Sequence, residues 1–218
     1  MTQLIIGLHG QAGAGKDTVA DFLVANHNFV KIAYADKLRE EIAHAWGIKP
    51  ELLINRAQKE IPQVPLEISR CQDSRFVRYI LDKLSDGNEA AWYLESATPR
   101  SPRWIMQQWG DYRRSVFGED YFLIEMANKI AELDSHVVIS DVRLDKEAEQ
   151  LSVDYKAHLW RIQRPNLAAV QADKTEAGIA LNWIDVDIIN IGSINDLYEH
   201  VGDALNKATF GYKARRAA

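Results

Sequence analysis

Nine residues near the start of the chain, Gly10-Gln11-Ala12-Gly13-Ala14-Gly15-Lys16-Asp17-Thr18, restrict the fold more than any other stretch. They follow the apolar run Leu4-Ile5-Ile6-Gly7-Leu8 and precede Val19-Ala20-Asp21-Phe22-Leu23. A short apolar run reads as a buried parallel strand, and apolar residues at 19, 22 and 23 read as one face of a helix. G-x-x-x-x-G-K between a strand and a helix is the phosphate-binding loop. Its glycines let successive backbone N–H groups turn toward one anion, and the helix N-terminus adds partial positive charge. Lys16 can then reach the outer phosphates of a nucleotide as a point charge. Gly13, Ala14, Gly15, Lys16, Asp17 and Thr18 are therefore the candidate nucleotide-binding residues. The residue after the lysine is commonly a Ser or Thr that ligates Mg²⁺; here Asp17 takes that place and Thr18 follows, so either is a candidate metal ligand. The alternative is a Gly-rich turn carrying a solvated lysine.

A chain of 218 residues is long enough for one sizeable core. With 47% hydrophobic and 26% charged residues it has an ordinary globular composition. A net charge of −5 gives no bulk sign of a nucleic-acid partner, while leaving room for a local basic groove. Cys71, the single cysteine, excludes an intramolecular disulfide and fits a reducing compartment. No run of 18 apolar residues and no charged-then-apolar leader occurs, so neither membrane span nor signal peptide is expected. A cytoplasmic protein with no membrane partner follows.

After the loop helix, Phe29-Val30-Lys31-Ile32-Ala33-Tyr34 reads as a second strand. It leads into an amphipathic helix marked by Leu38, Ile42, Ala45 and Trp46 and stopped by Gly47 and Pro50. Asp36 then stands at the carboxyl end of a strand, where open α/β sheets bind ligands; capping the helix is its alternative role. Residues 50–100 are broken by Pro62, Pro65 and Pro99, with one helix around Phe76, Ile80, Leu81 and Leu84. This stretch, to about residue 102, reads as an insertion covering a substrate cleft within a single domain.

Two clusters carry chemistry beyond the loop. Arg103 to Arg114 holds Arg103, Arg113 and Arg114 together with Trp104, Trp109, Gln107, Gln108 and Gly110. Arginine forks bind phosphate bidentately, and aromatic rings stack on bases. The same residues could instead form an amphipathic helix with its tryptophans in the core. His136-Val137-Val138-Ile139-Ser140-Asp141 is a strand ending in an acid, as a Mg²⁺-associated or phosphate-site carboxylate requires. If a helix begins at Asp141, Arg143 and Glu147 share one face and Leu144, Ala148 and Leu151 form the buried one; the alternative is an exposed ion pair of little energetic weight. His158 to Gln163 reads as a strand. The polar stretch at about 165–180, with Arg164 before it and Lys174 inside it, suits a short lid. Val186 to Ile191 is the last strand, and Ser193 with Asp196 has the spacing of a capping box. The tail holding Lys213, Arg215 and Arg216 reads as disordered.

With these residues in hand, the chain resembles the deoxynucleoside monophosphate kinases of tailed bacteriophages, in ordered blocks over nearly its full length. The loop with Lys16-Asp17-Thr18 looks like theirs, as do Ala35-Asp36-Lys37-Leu38-Arg39-Glu40, Gln107 to Arg114, Asp141-Val142-Arg143 with Glu147, and Ile189-Asn190-Ile191-Gly192-Ser193. The resemblance implies a P-loop kinase fold: an α/β protein with a mostly parallel central sheet, helices on both faces, a helical substrate-binding insertion and a short lid. It implies transfer of the γ-phosphate of ATP, with Mg²⁺, to a small-molecule nucleotide substrate, a deoxynucleoside monophosphate, giving the diphosphate. It makes Lys16, Arg103, Asp141 and Arg143 the candidate catalytic residues. Arg103, Gln107, Gly110, Asp141, Arg143 and Glu147 become substrate-facing, with Phe122 standing where the family often has Trp; Asp36, Lys37, Arg113 and Arg114 join them as substrate-binding candidates on their position and residue type. It admits a homodimer, and the host cytoplasm if a phage encodes the chain. Two features depart from the family pattern: Gly110 is followed at once by Asp111 with no intervening Thr, and the lid motif is reduced to Asp173-Lys174-Thr175-Glu176. The alternatives are a kinase of hydroxymethylated bases in phage DNA, with Arg75, Arg78 and Arg100 as a basic rim, a nucleotide-binding module without transfer activity, and a small-metabolite kinase such as one acting on dephospho-coenzyme A.

Overall fold

The computed structural model describes residues 3–55, 57–165, 167 and 178–216. Its elements in chain order are β1 (Ile5–His9), α1 (Lys16–His27), β2 (Phe29–Ile32), α2 (Tyr34–Trp46), α3 (Glu51–Ile54), α4 (Ser74–Ser85), α5 (Trp92–Ala97), α6 (Pro102–Phe117) and α7 (Tyr121–Ala131). These are followed by β3 (His136–Ile139), α8 (Asp145–Glu149), β4 (His158–Gln163), β5 (Val186–Ile189) and α9 (Ile194–Arg216). Two compact units result, one made of Met1–Tyr34 with Met126–Ala218, the other of Ala35–Glu125. The expected covering insertion lies inside the second. Among the described residues no helix is long and apolar enough to cross a membrane.

The first unit is built on a five-stranded sheet of order β2-β3-β1-β4-β5, with every described pairing parallel. Central strands of such a sheet are buried on both faces and must be apolar throughout. Ile5, Ile6, Gly7 and Leu8 of β1 are accordingly all buried, as are Val137, Val138 and Ile139 of β3. Edge strand β5 keeps only Ile188 fully inside and pairs Asp187 with Arg161 of β4 across the register. One core joins Ile6, Leu8, Val138, Trp160 and Ile188 to Val19 and Leu23 of α1 and to Leu197 and Val201 of α9. On the other face, Gly7 is pressed by Leu159, Leu151 and Val142; a Cβ there would stand 2.5 Å from Leu159 Cδ2. The apolar spacing read for α1 and α9 is therefore the spacing that packs.

The chain passes from β1 to β2 on one side of the sheet, returns through β3, and crosses β1 to reach β4 and β5. Loops diverge at the carboxyl ends of β1 and β3, the point where open α/β sheets bind ligands.

The second unit is helical. Ile42, Trp46, Leu53, Leu66, Ile68, Phe76, Ile80, Ile105, Trp109 and Tyr112 form one buried cluster. Trp46 and Phe76 meet edge to face at 5.5 Å, and Phe76 lies 4.8 Å from Trp109. Asp73 caps α4 by accepting from the N–H groups of Arg75 and Phe76 at 3.0 Å. Gly47, with φ 62, ends the long α2 helix as the sequence indicated.

Three local expectations are corrected. The second strand stops at Ile32, because Tyr34 already opens α2. No helix begins at Asp141: α8 starts at Asp145, Leu144 is 43% exposed, and the chain continues through a π-helical turn over Gln150–Asp154. Only Ala148 and Leu151 of the expected stripe are buried. The tail is helical, since α9 runs through Arg216. The lid expected at about 165–180, with Lys174 and the residues 173–176, lies almost wholly outside the described residues, whereas Arg164 is described and exposed.

Candidate functional site

Within the first unit, β1 ends at His9 and the chain turns through Gly10 to Gly15 into α1. Two close approaches require glycine. A Cβ on Gly10 would stand 2.2 Å from the Ile162 carbonyl oxygen. Gly15, with φ 110, caps α1 and would place a Cβ 2.7 Å from Asn190 Nδ2. That Asn190 amide donates to the Ala14 carbonyl at 2.9 Å, while its own N–H donates to Gln163 O at 2.7 Å. The end of β5 thus holds the phosphate loop in shape. Lys16 folds back over the loop, its Nζ donating to Gly10 O at 2.6 Å and Gln11 O at 2.9 Å. Asp17, in the exposed first turn of α1, pairs with Lys31 Nζ at 3.1 Å, and Lys31 also reaches Asp21 at 3.0 Å.

The turn after β3 lies beside this loop because β3 and β1 are neighbours. Asp141 Oδ1 accepts from the backbone N–H of Tyr34 at 2.7 Å, so the carboxylate sits at the N-terminus of α2, where negative charge is favoured. Val142 is tied on both sides: its N–H donates to Leu8 O at 3.1 Å, and its carbonyl lies 3.0 Å from His9 Nδ1. Glu147 closes the turn from α8, Oε2 accepting from Arg143 N at 2.7 Å and Leu144 N at 3.1 Å. The expected shared helix face of Arg143 and Glu147 is replaced by this contact of the carboxylate with the backbone on which Arg143 stands. Burial pushes the Glu147 carboxyl up to about 7, repulsion from Asp141 adds to that, and the two backbone bonds oppose it. Burial also raises the Tyr34 hydroxyl, which donates to Gln150 Oε1 at 3.0 Å.

The remaining predicted residues belong to the helical unit. Lys37 pairs with Glu125 at 2.9 Å, which raises its pKa. Asp36 pairs with Arg39 one turn on, at 2.9 Å. Arg103 bonds to Glu60 and Gln107 is exposed on α6. Arg113 and Arg114 diverge. Arg113 Nε donates to Glu41 at 2.9 Å, and its guanidinium stands 4.8 Å from the Trp109 ring and 5.3 Å from that of Phe117. Arg114 pairs with Asp111 at 2.9 Å and lies 5.9 Å from the Phe122 ring. Gly110 is buried inside α6, and a Cβ there would meet Arg114 Nη2 at 3.5 Å and Leu38 Cδ1 at 3.8 Å. Neither contact demands a glycine. A cleft of about 540 Å³ in this unit is lined by Lys37, Glu40, Glu41, His44, Asp73 and Arg113 among others. Of the expected basic rim, Arg78 faces Asp82 at 3.9 Å, and Arg100 bonds to Glu95 and stacks 4.6 Å from Trp104.

The predicted residues divide between the two units. Lys16, Asp17, Thr18, Asp141, Arg143 and Glu147 gather at the carboxyl edge of the first unit's sheet. Asp36, Lys37, Arg103, Gln107, Gly110, Arg113, Arg114 and Phe122 lie on the helices of the second.

No family model matches the chain. Among curated proteins, a "Putative deoxynucleotide monophosphate kinase" of Acanthamoeba polyphaga mimivirus is 23% identical, over 94% of this chain and 98% of its own length. The "Deoxynucleoside-5'-monophosphate kinase" of Escherichia phage T5 is 28% identical, over 89% of this chain and 92% of its own. The chain is a homologue of the viral and phage deoxynucleotide monophosphate kinases. Among solved structures, the dephospho-CoA kinase from Campylobacter jejuni aligns with 94% of this chain and 97% of its own at 13% identity and a TM-score of 0.41.

Sequence reasoning passed over three residues in this kinase-like chain. His9 stands where the strand reading had already stopped. Asn190 was read only as part of the last strand and its turn. Glu41 was one of several acids on α2, yet it gathers donors from Trp109 at 2.9 Å, Arg113 and Tyr121. The partners of their side chains lie 68 or more residues away in sequence, so no local spacing announces them.

Proposed function

We infer that this protein is a deoxynucleoside monophosphate kinase that uses ATP and Mg²⁺. The observation that carries the inference is the phosphate loop with Lys16 at the carboxyl end of β1, beside the Asp141–Arg143 turn, in a chain whose viral and phage relatives match it nearly end to end.

Phosphoryl transfer needs positioning and charge neutralisation more than covalent chemistry. An oxygen of the acceptor phosphate attacks the γ-phosphorus of ATP, the bond to the β-phosphate oxygen breaks, and ADP leaves with the electron pair. The loop N–H groups from Gly13 to Lys16 hold the donor's phosphates. Lys16, which in the structure contacts loop carbonyls, exchanges those acceptors for β- and γ-phosphate oxygens. Arg143 offsets charge on the acceptor phosphate, and its backbone is fixed by Glu147. Asp141 orients rather than abstracts, because an acceptor phosphate is already ionised at neutral pH. On the helical unit, Arg103, Gln107, Arg113, Arg114 and Phe122, together with Asp36 and Lys37 on α2, are assigned to the acceptor nucleotide.

Mg²⁺ prefers oxygen donors, keeps several waters, and is commonly shared between a protein oxygen and substrate phosphates. The Thr18 hydroxyl and the Asp141 carboxylate supply such oxygens, whereas Asp17 is engaged by Lys31. Thr18 is therefore the ligand this reading favours. When bound, the ion neutralises charge on the donor phosphates.

Lys16→Ala tests the assignment. It should lower kcat by about a hundredfold or more, as loss of one electrostatic clamp does, with an unchanged circular dichroism spectrum. Near-normal transfer by the variant would overturn the role of Lys16.

A further inference from the structure

We propose that His9 is a positioning residue for phosphoryl transfer, its Nδ1–H holding the Val142 carbonyl so that the Asp141–Arg143 turn keeps its register on the phosphate loop. The proposal rests on the reading of Arg143 as the residue that meets the acceptor phosphate.

His9 is the last residue of β1 and the one immediately before the loop's first glycine. Its ring therefore sits where the strand and the phosphate loop meet, on the side of the neighbouring turn after β3. Val142, in the middle of that turn, has both backbone polar groups tied to this junction: the N–H to Leu8 O at 3.1 Å and the carbonyl to His9 Nδ1 at 3.0 Å. A carbonyl oxygen only accepts, so the proton of this hydrogen bond lies on Nδ1. In the neutral ring the other nitrogen then carries none. The ring is partly buried, and burial first, then the charges of Lys16, Arg161 and Arg143, hold its pKa below the ordinary value, opposed by the bond to Val142. A neutral imidazole with the proton on Nδ1 is one tautomer held in one orientation, which is what a positioning residue needs.

The same turn is anchored at its far end by Glu147, which accepts from Arg143 N and Leu144 N, and at its start by Asp141, which accepts from Tyr34 N. His9 and Leu8 supply the anchor that connects it to the loop carrying Lys16. Without the imidazole the Val142 carbonyl loses its partner, and the peptide preceding Arg143 is held only through its N–H bond to Glu147. Misplacement of a positioned group by about 1 Å costs about a hundredfold in rate.

Three substitutions separate positioning from packing. In His9→Asn the amide nitrogen occupies the place of Nδ1 and can donate to Val142 O; in His9→Gln it reaches the place of Nε2; His9→Ala removes both. With ATP and a saturating deoxynucleotide acceptor, His9→Ala should lose about tenfold to a hundredfold in kcat, with little change in the KM for ATP. His9→Asn should recover most of that loss and His9→Gln little of it. On the wild-type protein, nitrogen-15 imidazole resonances should show a protonated Nδ1 and an unprotonated Nε2 at neutral pH, whatever the activity. A wild-type kcat for His9→Ala, recovery by His9→Gln in preference to His9→Asn, or a proton on Nε2 alone would each overturn the proposal. Should His9→Ala fail to fold, the Asn and Gln pair and the wild-type resonances still decide it. Absence of transfer by the wild-type protein would defeat the kinase reading itself, whereas an active wild type with an indifferent His9 defeats only this role.

Discussion

Replacing Glu147 by glutamine separates the charge of this residue from its geometry. In the native protein Oε2 accepts from the N–H groups of Arg143 and Leu144, at 2.7 and 3.1 Å, and a glutamine carbonyl can accept both. The charge is the difference. Burial, with Asp141 nearby, lifts the carboxyl from 4.5 to about 7. A folded-state pKa above the unfolded one means that between about pH 4.5 and 7 the folded protein keeps a proton that the unfolded chain has released. Stability then falls as pH rises through that window and levels off above it. At about 1.4 kcal/mol per pKa unit the loss is at most about 3 kcal/mol; the side chain is only partly buried, so this is an upper bound. Glu147→Gln, neutral throughout, removes the fall. Urea unfolding of both proteins from pH 4.5 to 8 measures it, since other titrating groups cancel in the difference. The stability of the variant relative to wild type should rise by up to about 3 kcal/mol across the window and be flat above pH 7.5. A difference independent of pH would refute the argument that this carboxyl is held protonated by its surroundings.

Two further substitutions test the loop and the helical unit. Gly15→Ala forces a side chain to φ 110 and against Asn190 Nδ2, so it should destabilise the fold by roughly 1–2 kcal/mol and weaken ATP binding; an unchanged melting temperature and affinity would contradict the clasp between Asn190 and the loop. Gly110→Ala meets only ordinary contacts and should leave the protein as stable or up to about 1 kcal/mol more so, while raising the KM for the acceptor and not for ATP. A destabilised Gly110→Ala protein would show that the space at this position is tighter than described, and an unaltered acceptor KM would remove Gly110 from the substrate-facing set.

Much of the first unit was legible because its signals are local. The apolar runs at 4–8 and 136–139, the glycine spacing of the loop, and the stripes at 19, 22, 23 and at 197, 201, 205, 208 each decide their own element. The same holds for the capping box, in which the Ser193 N–H donates to Asp196 and the Asp196 N–H to Ser193 Oγ. What misled lies at turns decided by distant partners. Helical spacing of Arg143 and Glu147 is real, yet the turn from Asp141 to Leu144 is held out of a helix by Tyr34, Leu8 and His9, and Glu147 serves the backbone instead. On α6 the chain offered three arginines without showing which is taken up internally; that depends on Glu41, 72 residues from Arg113. A single histidine at a strand end looks like any core histidine until its carbonyl partner, 133 residues on, is known.

The central claim is that a phosphate moves from ATP to a free deoxynucleoside monophosphate. A panel of the deoxynucleoside monophosphates, dephospho-coenzyme A, and double-stranded DNA containing or lacking hydroxymethylated pyrimidines, each incubated with the protein, ATP and Mg²⁺, measures it directly through ADP release and the phosphorylated product. The account predicts ADP in equal amount with a deoxynucleoside diphosphate, for at least one member of the monophosphate set and with no requirement for DNA. ADP release only with modified DNA, only with dephospho-coenzyme A, or with no acceptor dependence at all, would contradict it.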